Sequence, residues 1–303
     1  MSLRVGYIPE HFSTPLFLAK TYGYYTEAGL DVTFIPVIEG SGRLIKLLNE
    51  NEIDLAIGLT EAFISDIAKG NEAYKLIGSY VKSPLCWAVS TGAGRDELKS
   101  LADLQSKKIG ISRMGSGSYI MSFVVGLDQK FTQPFFGGHP ILHNFKNLRE
   151  SVNLKAGEGL ENSDAFMWEH FTSKKYYDNG ELKKIGEIYT PWPSWVINCN
   201  TQFLETKKDD VKKFLNCINK GVEYFWANQD ESTTYIGDNL DYSKADAEQW
   251  IKTVQFNDKL AQEPLDYDKI VVTTAKVLKT AGVLTDSDDV INQRLEKGVV
   301  KVL

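Results

Sequence analysis

The stretch from Leu3 to Val37, LRVGYIPEHFSTPLFLAKTYGYYTEAGLDVTFIPV, predicts a strand, a helix and a second strand in that order. The first strand covers 3–8, and the helix covers about 15–28, with Pro15 in its first turn, where proline is tolerated. The second strand covers 31–37. A helix that connects two strands in this way is typical of an open, largely parallel sheet with right-handed crossovers.

The same alternation continues along the chain and then starts again. Residues 54–59, DLAIGL, are almost wholly apolar, as expected of a strand covered by helices on both faces of its sheet. Two segments, LIKLLNENEIDLAIGLTEA and SVNLKAGEGLENSDAFMWEH, share the order helix, acidic turn, Asp, strand and polar end. This repeated order of elements predicts two similarly built α/β lobes. Further strands are predicted at 74–81, 86–91, 107–112, 141–145 and 164–168, and helices at 42–50, 61–70, 118–130 and 148–157.

Helical patterns dominate after residue 203. Ser243 with Asp246 predicts a capping box at the start of one helix, and Gly282 predicts the end of another. We expect these helices to pack against the first lobe and to carry no chemistry. They are predicted at 207–228, 243–255, 266–281 and 286–297.

The composition limits the classes of partner. The 303 residues suffice for two lobes, and the net charge of −6, without a basic cluster, argues against nucleic acid or an anionic membrane surface. The three cysteines, Cys86, Cys199 and Cys217, form no CxxC motif, which favours free thiols in a reducing compartment. No apolar run reaches the ~18 residues of a membrane span, and the N-terminus is typical of a strand rather than a signal peptide. We therefore expect a cytoplasmic protein without membrane insertion.

Two Gly-Ser-Gly loops, at 40–42 and 115–117, each lie between a predicted strand and a predicted helix. Glycine lets the backbone approach a ligand, and serine can cap the helix that follows. Exposed N–H groups at a helix start favour an anionic or polar oxygen, and Arg113 can add a full positive charge. Because open α/β sheets bind ligands outside the carboxyl ends of their strands, both loops are predicted to contact a small-molecule ligand.

The predicted ligand-binding residues combine hydrogen-bonding groups with three aromatic walls, Phe12, Trp168 and Trp192. Each has a structural alternative: Arg113 can pair with a neighbouring acid, histidines can be structural, and tryptophans can belong to the core. The full set is Glu10, His11, Phe12, Glu39, Gly40, Ser41, Thr60, Glu61, Arg113, Met114, Gly115, Ser116, Gly117, Ser118, Trp168, Glu169, His170 and Trp192.

The sequence offers little evidence for catalysis. It lacks a complete dinucleotide fingerprint, a GxxxxGK[ST] phosphate loop and a GxSxG nucleophile motif. Its histidines and cysteines show no metal-ligand spacing, so neither a metal nor a cofactor is predicted. Glu10 with His11, and Glu169 with His170, carry acid–base groups, but neighbours on an extended segment point to opposite faces. No catalytic residue is therefore predicted.

The opening stretch resembles the start of the type II periplasmic solute-binding proteins of the nitrate, sulfonate and taurine group. In that family a first strand leads to a helix carrying plf-AK--G-f-eaGL-V. The segments LIKLLNENEIDLAIG, SLADLQSKKIGISRMGSGSY and SDAFMWEH match three further parts of the family pattern, so the resemblance covers about 1–195. It implies a two-lobed α/β fold in which each lobe is an open mixed sheet flanked by helices, with extra C-terminal helices on lobe I.

The resemblance also implies how the chain is divided. Lobe I would comprise 1–90 and 195–303, and lobe II would comprise 91–194. The ligand would lie in a cleft between them, and the hinge crossings would fall near 84–95 and 190–198, with closure on binding.

Two branches of the superfamily suggest chemistry. A cytosolic fungal branch makes the thiamine pyrimidine and is marked by a cysteine cluster that this chain does not contain. Desulfinase-like relatives use a cleft cysteine, whereas Cys86 lies in a predicted strand and Cys199 beyond the second crossing. Exported members carry a signal peptide or lipid anchor, and neither is seen here.

Two functions follow as hypotheses. The first is a binding protein for a small polar or anionic metabolite, similar to a sulfonate or a thiamine-pyrimidine precursor, with no chemistry. The alternative is an enzyme on the same fold, in thiamine-precursor or sulfur metabolism, that uses a His or Glu of the cleft. Whether a transporter or a regulatory protein is a partner stays open.

Overall fold

The structure, a computed structural model, describes residues 2–302; residues 1 and 303 of the predicted lobes lie outside them. The strands of the described chain are β1 Leu3–Tyr7, β2 Val32–Pro36, β3 Leu55–Leu59, β4 Tyr74–Val81, β5 Cys86–Gly92, β6 Ile109–Gly110, β7 Ala165–Glu169, β8 Leu182–Tyr189 and β9 Trp195–Asn200. The α-helices are α1 Thr14–Thr21, α2 Tyr24–Glu27, α3 Ser41–Asn49, α4 Thr60–Ala68, α5 Gly117–Asp128, α6 Phe145–Val152, α7 His170–Asp178, α8 Thr201–Thr206, α9 Lys208–Ala227, α10 Gln229–Asn239, α11 Lys244–Trp250, α12 Thr273–Thr280 and α13 Asp288–Gly298.

The chain forms two units. Unit 1 consists of the residues up to Pro84, Trp192–Ala275 and the residues from Leu284 onward. Unit 2 consists of Leu85–Pro191 and the short segment Lys276–Val283.

Unit 1 is built on a mixed sheet with the strand order β2-β1-β3-β9-β4. β1 runs parallel to β2 and β3, and β9 runs antiparallel to β3 and β4. Arg4 of β1 forms an ion pair with Asp54, the residue just before β3. Its Nη2 and Nε donate to the Asp54 carboxylate at 2.6 and 3.1 Å. This paired geometry is the stronger form of ion pair, and it fixes where β3 begins beside β1.

Unit 2 has a second mixed sheet with the order β6-β7-β5-β8. β6 is parallel to β7, whereas β5 is antiparallel to both β7 and β8. A core cluster on this unit contains Leu148, Val152 and Phe166, which are buried. The predicted fold class is confirmed: two open mixed α/β sheets are flanked by helices, and α9, α10, α11 and α13 add C-terminal helices to unit 1.

The strand predicted at 141–145 is wrong. Ile141 forms only an isolated parallel bridge with Ile111, and Phe145 already begins α6. The reason is local, because Asn144 caps this helix and its side chain accepts a hydrogen bond from the Asn147 N–H at 2.9 Å. An asparagine inside an apolar run is thus a helix start here rather than part of a strand.

Other differences concern element ends and elements without a strong apolar period. The helix predicted at 243–255 ends at Trp250, and the one predicted at 266–281 begins as a π-helical turn, Asp268–Val272, before α12. The sequence analysis does not predict β8, whose sequence LKKIGEIY is charged along its exposed face. It also misses β9 as a central strand, together with α7, α8 and α10.

Candidate functional site

The sheet topology gathers the predicted residues of unit 1 at one edge. Because β1, β2 and β3 are parallel, their carboxyl ends meet there, and the segments 10–12, 39–41 and 60–61 follow these ends. β9 is antiparallel to β3, so the residues just before it, including Trp192, lie at the same edge.

The loop after β1 turns two of its predicted ligand contacts inward. Residues His11–Ser13 form a 3₁₀ turn, held by the Ser13 hydroxyl, which donates to the Glu10 carbonyl at 2.7 Å. His11 is 0% exposed, and its ring centroid lies 4.2 Å from that of Trp250. Burial lowers the pKa of His11 well below its ordinary value, so the imidazole is neutral at physiological pH.

Phe12 is also buried, with its ring centroid 5.1 Å from that of Trp195. The structure therefore places both His11 and Phe12 in an aromatic cluster, which matches the structural alternative for His11. Glu10 is half-buried and extended, at the start of the turn.

The first Gly-Ser-Gly loop contains a backbone conformation that requires glycine. Gly40 has φ +85° and immediately precedes α3, whereas Glu39 is exposed. The serine does not cap α3 as expected; its Oγ accepts a hydrogen bond from the Leu59 N–H at 2.9 Å. Ser41 thus ties the start of α3 to the end of β3. The neighbouring Gly58 makes room for it, because a Cβ there would lie 2.9 Å from Ser41 Oγ.

The residues after β3 join a buried hydrogen-bond network. The Thr60 hydroxyl donates to the Pro193 carbonyl at 2.5 Å, and the Trp192 indole N–H donates to Glu61 Oε2 at 3.1 Å. Glu61 and Trp192 are both 0% exposed. Trp192 therefore positions a buried carboxyl group at the edge, which is a different role from the apolar wall that the sequence suggested.

The predicted residues of unit 2 meet at the edge where β6 and β7 end. These two strands are parallel, so the loop 113–118 and the pair Glu169 and His170 follow neighbouring carboxyl ends. β5 is antiparallel to β7, with Trp87 opposite Glu169, so the start of β5 lies at this edge as well.

In the second Gly-Ser-Gly loop, the serine caps the following helix as the sequence predicts. Arg113 and Met114 are exposed, and Gly115 has φ +73°. Ser116 is the N-cap of α5, where its Oγ accepts a hydrogen bond from the Tyr119 N–H at 3.4 Å, and Ser118 Oγ lies 3.0 Å from Ser116 Oγ. The loop presents a helix start that begins at Gly117, together with a guanidinium group in the same segment. Both features favour negatively charged or polar oxygen atoms.

Glu169 is the most strongly perturbed acid of unit 2. It caps α7, and its Oε2 accepts hydrogen bonds from the Thr172 N–H at 2.7 Å and from the Thr172 hydroxyl at 3.0 Å. Burial raises the pKa of Glu169 to about 7, against the effect of these hydrogen bonds. The carboxyl group therefore changes charge near neutral pH.

The two neighbours of Glu169 in sequence, Trp168 and His170, are half-buried. Trp168 stacks on Phe145 with ring centroids 4.9 Å apart, as part of the packing around the unit 2 core. The His170 ring lies 4.9 Å from that of Phe171 in an edge-to-face arrangement. The core alternative thus describes the observed packing of Trp168.

Cys86, at the start of β5, does not have the surroundings of a nucleophile. Its Sγ lies 3.7 Å from a Glu187 carboxylate oxygen, and burial raises the pKa of the thiol to about 12. The thiolate is the reactive form, and the raised pKa keeps the Cys86 thiol protonated at neutral pH.

A pair of tryptophans and a small cavity were not predicted as site features. Trp195 and Tyr80 line a cavity of unit 1 together with Tyr7 and Ile57, and Trp87 is buried at the edge of unit 2. These side chains belong to strands whose sequences are typical of an ordinary core, so only the pairing of the strands shows where they lie.

Among residues 2–302, no group of three or more His, Cys, Asp or Glu side chains could hold a metal ion. None of the helices in that range has an apolar stretch long enough to cross a bilayer.

Comparison with protein families and curated proteins gives two family matches. The family described as Ca3427-like PBP matches residues 87–188, and the NMT1/THI5 like family matches residues 10–129. The chain is 23% identical over 238 residues to 4-amino-5-hydroxymethyl-2-methylpyrimidine phosphate synthase THI11 of Saccharomyces cerevisiae. This alignment covers 73% of the chain but only 65% of that relative's own length.

Two solved structures superimpose on nearly the whole chain. The alkanesulfonate-binding protein SsuA from Xanthomonas axonopodis pv. citri, bound to MOPS, superimposes with a TM-score of 0.78 at 15% identity, covering 99% of this chain and 98% of that one. The CA3427 gene product of Candida albicans superimposes with a TM-score of 0.93 at 56% identity, covering 99% of this chain and 96% of that one. The chain therefore belongs to the family defined by the Candida albicans CA3427 gene product, whose members have the generic periplasmic binding protein fold.

Proposed function

We propose that this protein binds a small polar or anionic metabolite at its strand-end loops and does no chemistry on it. The observation that carries the proposal is the unit 2 edge, where exposed Arg113, the Ser116-capped start of α5 and the glycines of the loop occur in one segment. An anionic group gains both from the guanidinium and from the N–H groups of the helix start.

The relatives support the class of ligand. SsuA of Xanthomonas is an alkanesulfonate-binding protein, and the yeast relative is named for a pyrimidine phosphate. Sulfonate and phosphate groups share the same demand for N–H donors and positive charge, so both fit the loop at 113–118. The proposed ligand is accordingly a small metabolite with one such group, similar to a sulfonate or to a thiamine-pyrimidine precursor.

A thermal-shift experiment tests this proposal. The probes are taurine, methanesulfonate, nitrate, 4-amino-5-hydroxymethyl-2-methylpyrimidine and its phosphate. A ligand at 100 times its Kd adds about 2.7 kcal/mol to the free energy of unfolding, which is readily seen as a rise in Tm. If none of the probes raises Tm, the proposed ligand class is wrong.

Arg113→Ala gives the matched test of the site. Loss of a charged hydrogen bond of about 1.5–3 kcal/mol weakens binding of an anionic probe about 10- to 100-fold, and Arg113→Lys recovers part of the loss. The control is Lys155→Ala, which removes one positive charge from an exposed position of the same unit. Equal weakening in both variants would show that overall charge, and not the loop, attracts the ligand.

An enzyme on the same fold, acting in thiamine-precursor or sulfur metabolism, is the second candidate. It is favoured by one feature, the Glu169 carboxyl group, because a pKa of about 7 suits a general acid or base. Turnover of a bound probe that disappears in Glu169→Gln, with binding retained, would support it. A probe that binds and is recovered unchanged after prolonged incubation would rule it out for that probe.

A further inference from the structure

Glu169 is a buried carboxyl group at the edge of unit 2 that also carries the loop 113–118. β6 and β7 are neighbouring parallel strands, and Gly110 of β6 pairs with Phe166 of β7. Arg113 and Glu169 each lie three residues after this pair, so they leave the sheet at the same edge and at a similar level. Glu169 is 6% exposed, whereas Arg113 is exposed. All of these residues belong to unit 2.

Hydrogen bonds fix the start of α5 at the same edge. The carbonyl of Ser112, the residue before Arg113, accepts a hydrogen bond from the His143 N–H at 3.1 Å, so the chain keeps its parallel course up to the loop. The Ser112 N–H in turn donates to the hydroxyl of Ser118, the second residue of α5, at 3.4 Å. Because neighbouring strands lie about 4.8 Å apart, an anion at this helix start lies within roughly 10 Å of the Glu169 carboxyl group.

Many of the groups around Glu169 keep one charge state near neutral pH. Burial raises the pKa of Tyr177 and that of Cys86 to about 12, so both stay neutral. Lys184 lies 3.0 Å from Glu187 and lowers the pKa of that carboxyl group, so this pair stays charged. The titratable and charged side chains on the elements next to Glu169 are Arg113 of the loop, His170, Lys174 and Tyr177 of α7, Cys86 of β5, and Lys184, Glu187 and Tyr189 of β8.

We propose that the anion at the loop 113–118 and the proton on Glu169 bind cooperatively, so that the protein takes up a proton when it binds its metabolite. The inference rests on the proposed function and adds the regulation of that site. A bound anion repels the charged form of Glu169 and favours the neutral form. By reciprocity, a neutral Glu169 strengthens binding of the anion.

The direction and size of the effect follow from the charges. Burial raises the pKa of Glu169 to about 7, and a bound anion raises it further, so affinity is highest at acidic pH and falls as pH rises. Two unit charges about 10 Å apart, at an effective dielectric constant of about 20–40, change the binding constant about 4- to 16-fold. About 3- to 10-fold of this change falls between pH 6 and pH 8.5.

The first test uses the unaltered protein and isothermal titration calorimetry. The probe is methanesulfonate, whose charge stays constant from pH 6 to pH 8.5, whereas a phosphate monoester titrates near pH 6. We expect its Kd to rise about 3- to 10-fold over this range. Titrations at pH 7.5 in Tris and in triethanolamine, which differ in ionisation enthalpy, should give an uptake of about 0.3–0.6 proton per bound anion. Sulfonate and phosphate buffers are avoided because they would compete with the probe.

The second test removes the titrating group. Glu169→Gln should bind methanesulfonate at every pH about as tightly as the unaltered protein does at pH 6, and its proton uptake should disappear. The control is Glu158→Gln, at an exposed position of the same unit, which should keep the pH dependence. The proton uptake of the unaltered protein tests the proposal even if Glu169→Gln does not fold.

The outcomes separate this proposal from the proposed function. If methanesulfonate binds but does not weaken as pH rises, or if the pH dependence persists in Glu169→Gln, the coupling is refuted and the proposed function stands. If only 4-amino-5-hydroxymethyl-2-methylpyrimidine phosphate binds, its proton uptake by the unaltered protein and by Glu169→Gln is compared, and equal values refute the coupling. If neither probe binds at millimolar concentration at any of these pH values, the coupling is refuted, and so is the proposed function for these two ligand classes.

Discussion

The buried carboxyl group of Glu169 makes the stability of this protein depend on pH in a defined direction. Its pKa is raised from 4.5 to about 7 by burial in the folded chain. The folded state therefore holds this proton more tightly than the unfolded state does. The stabilisation is fully present below pH 4.5 and is lost as pH rises through about 7.

The size of the effect follows from the shift. With 1.36 kcal/mol for each unit of pKa, the contribution of Glu169 to the free energy of unfolding falls by about 2.5 kcal/mol between pH 5 and pH 8. Glu169→Gln removes this contribution but keeps an oxygen that can accept the hydrogen bonds from Thr172. We therefore expect the unfolding free energy of the variant to fall less steeply than that of the unaltered protein over this range.

Urea unfolding at half-unit steps from pH 5 to pH 8 measures the difference. Glu158→Gln, at an exposed position of the same unit, is the control and is expected to follow the unaltered protein. The reasoning is refuted if the curves of Glu169→Gln and the unaltered protein stay parallel across the range. If the unaltered protein instead loses stability relative to Glu169→Gln as pH falls, the pKa of Glu169 lies below its ordinary value.

Three further predictions concern unit 1. Gly58→Ala places a Cβ 2.7 Å from Phe63 and should lower the unfolding free energy by about 1–3 kcal/mol. Gly78→Ala, whose new Cβ would have its nearest contact at 3.6 Å, should lower it less. Similar losses in the two variants would contradict the packing argument. Asn198→Leu should raise the unfolding free energy by about 1–2 kcal/mol, because neither Nδ2 nor Oδ1 of this buried amide has a hydrogen-bond partner among the described residues. A clear loss of stability in the variant would disprove this prediction. Trp192→Phe should lower the unfolding free energy by about 1.5–3 kcal/mol, because it loses the hydrogen bond from the indole N–H to the Glu61 carboxyl group. An unchanged unfolding free energy would show that this hydrogen bond contributes nothing.

The fold could be predicted because its main elements have strong local signals. Strand β3 is a continuous apolar run, and the helix α9 has a clear helical period, so the predicted ends of both lie within about a residue or two of the observed ends. The misses share a cause: β8 carries charged residues, and the segment 141–145 contains Asn144, which caps α6. In those places the pairing of strands or the cap decides the structure, and neither is visible in a short window of sequence.

The candidate site could be predicted at the level of loops but not of side chains. The loops at the strand ends follow from parallel pairing, and Arg113 and the Ser116 cap are found in the expected places. His11 and Phe12 follow β1 as predicted, yet the 3₁₀ turn rotates both into an aromatic cluster. The rotation depends on aromatic partners such as Trp250, which lies more than 200 residues away in sequence. The local sequence pattern therefore predicts which loops lie at an edge of a sheet. Packing between residues distant in sequence decides which of their side chains are buried.

The two tryptophans of the segment TPWPSW illustrate this limit. Trp192 and Trp195 have similar sequence neighbours, and both are almost fully buried. Trp192 donates to Glu61, 131 positions away, whereas the indole N–H of Trp195 has no acceptor among the described residues and its ring lines a cavity. No property of the segment itself separates a tryptophan that orders a carboxyl group from one whose indole N–H has no acceptor. Because a buried donor without an acceptor costs about 1–3 kcal/mol, the two tryptophans contribute differently to stability although their sequence context is alike.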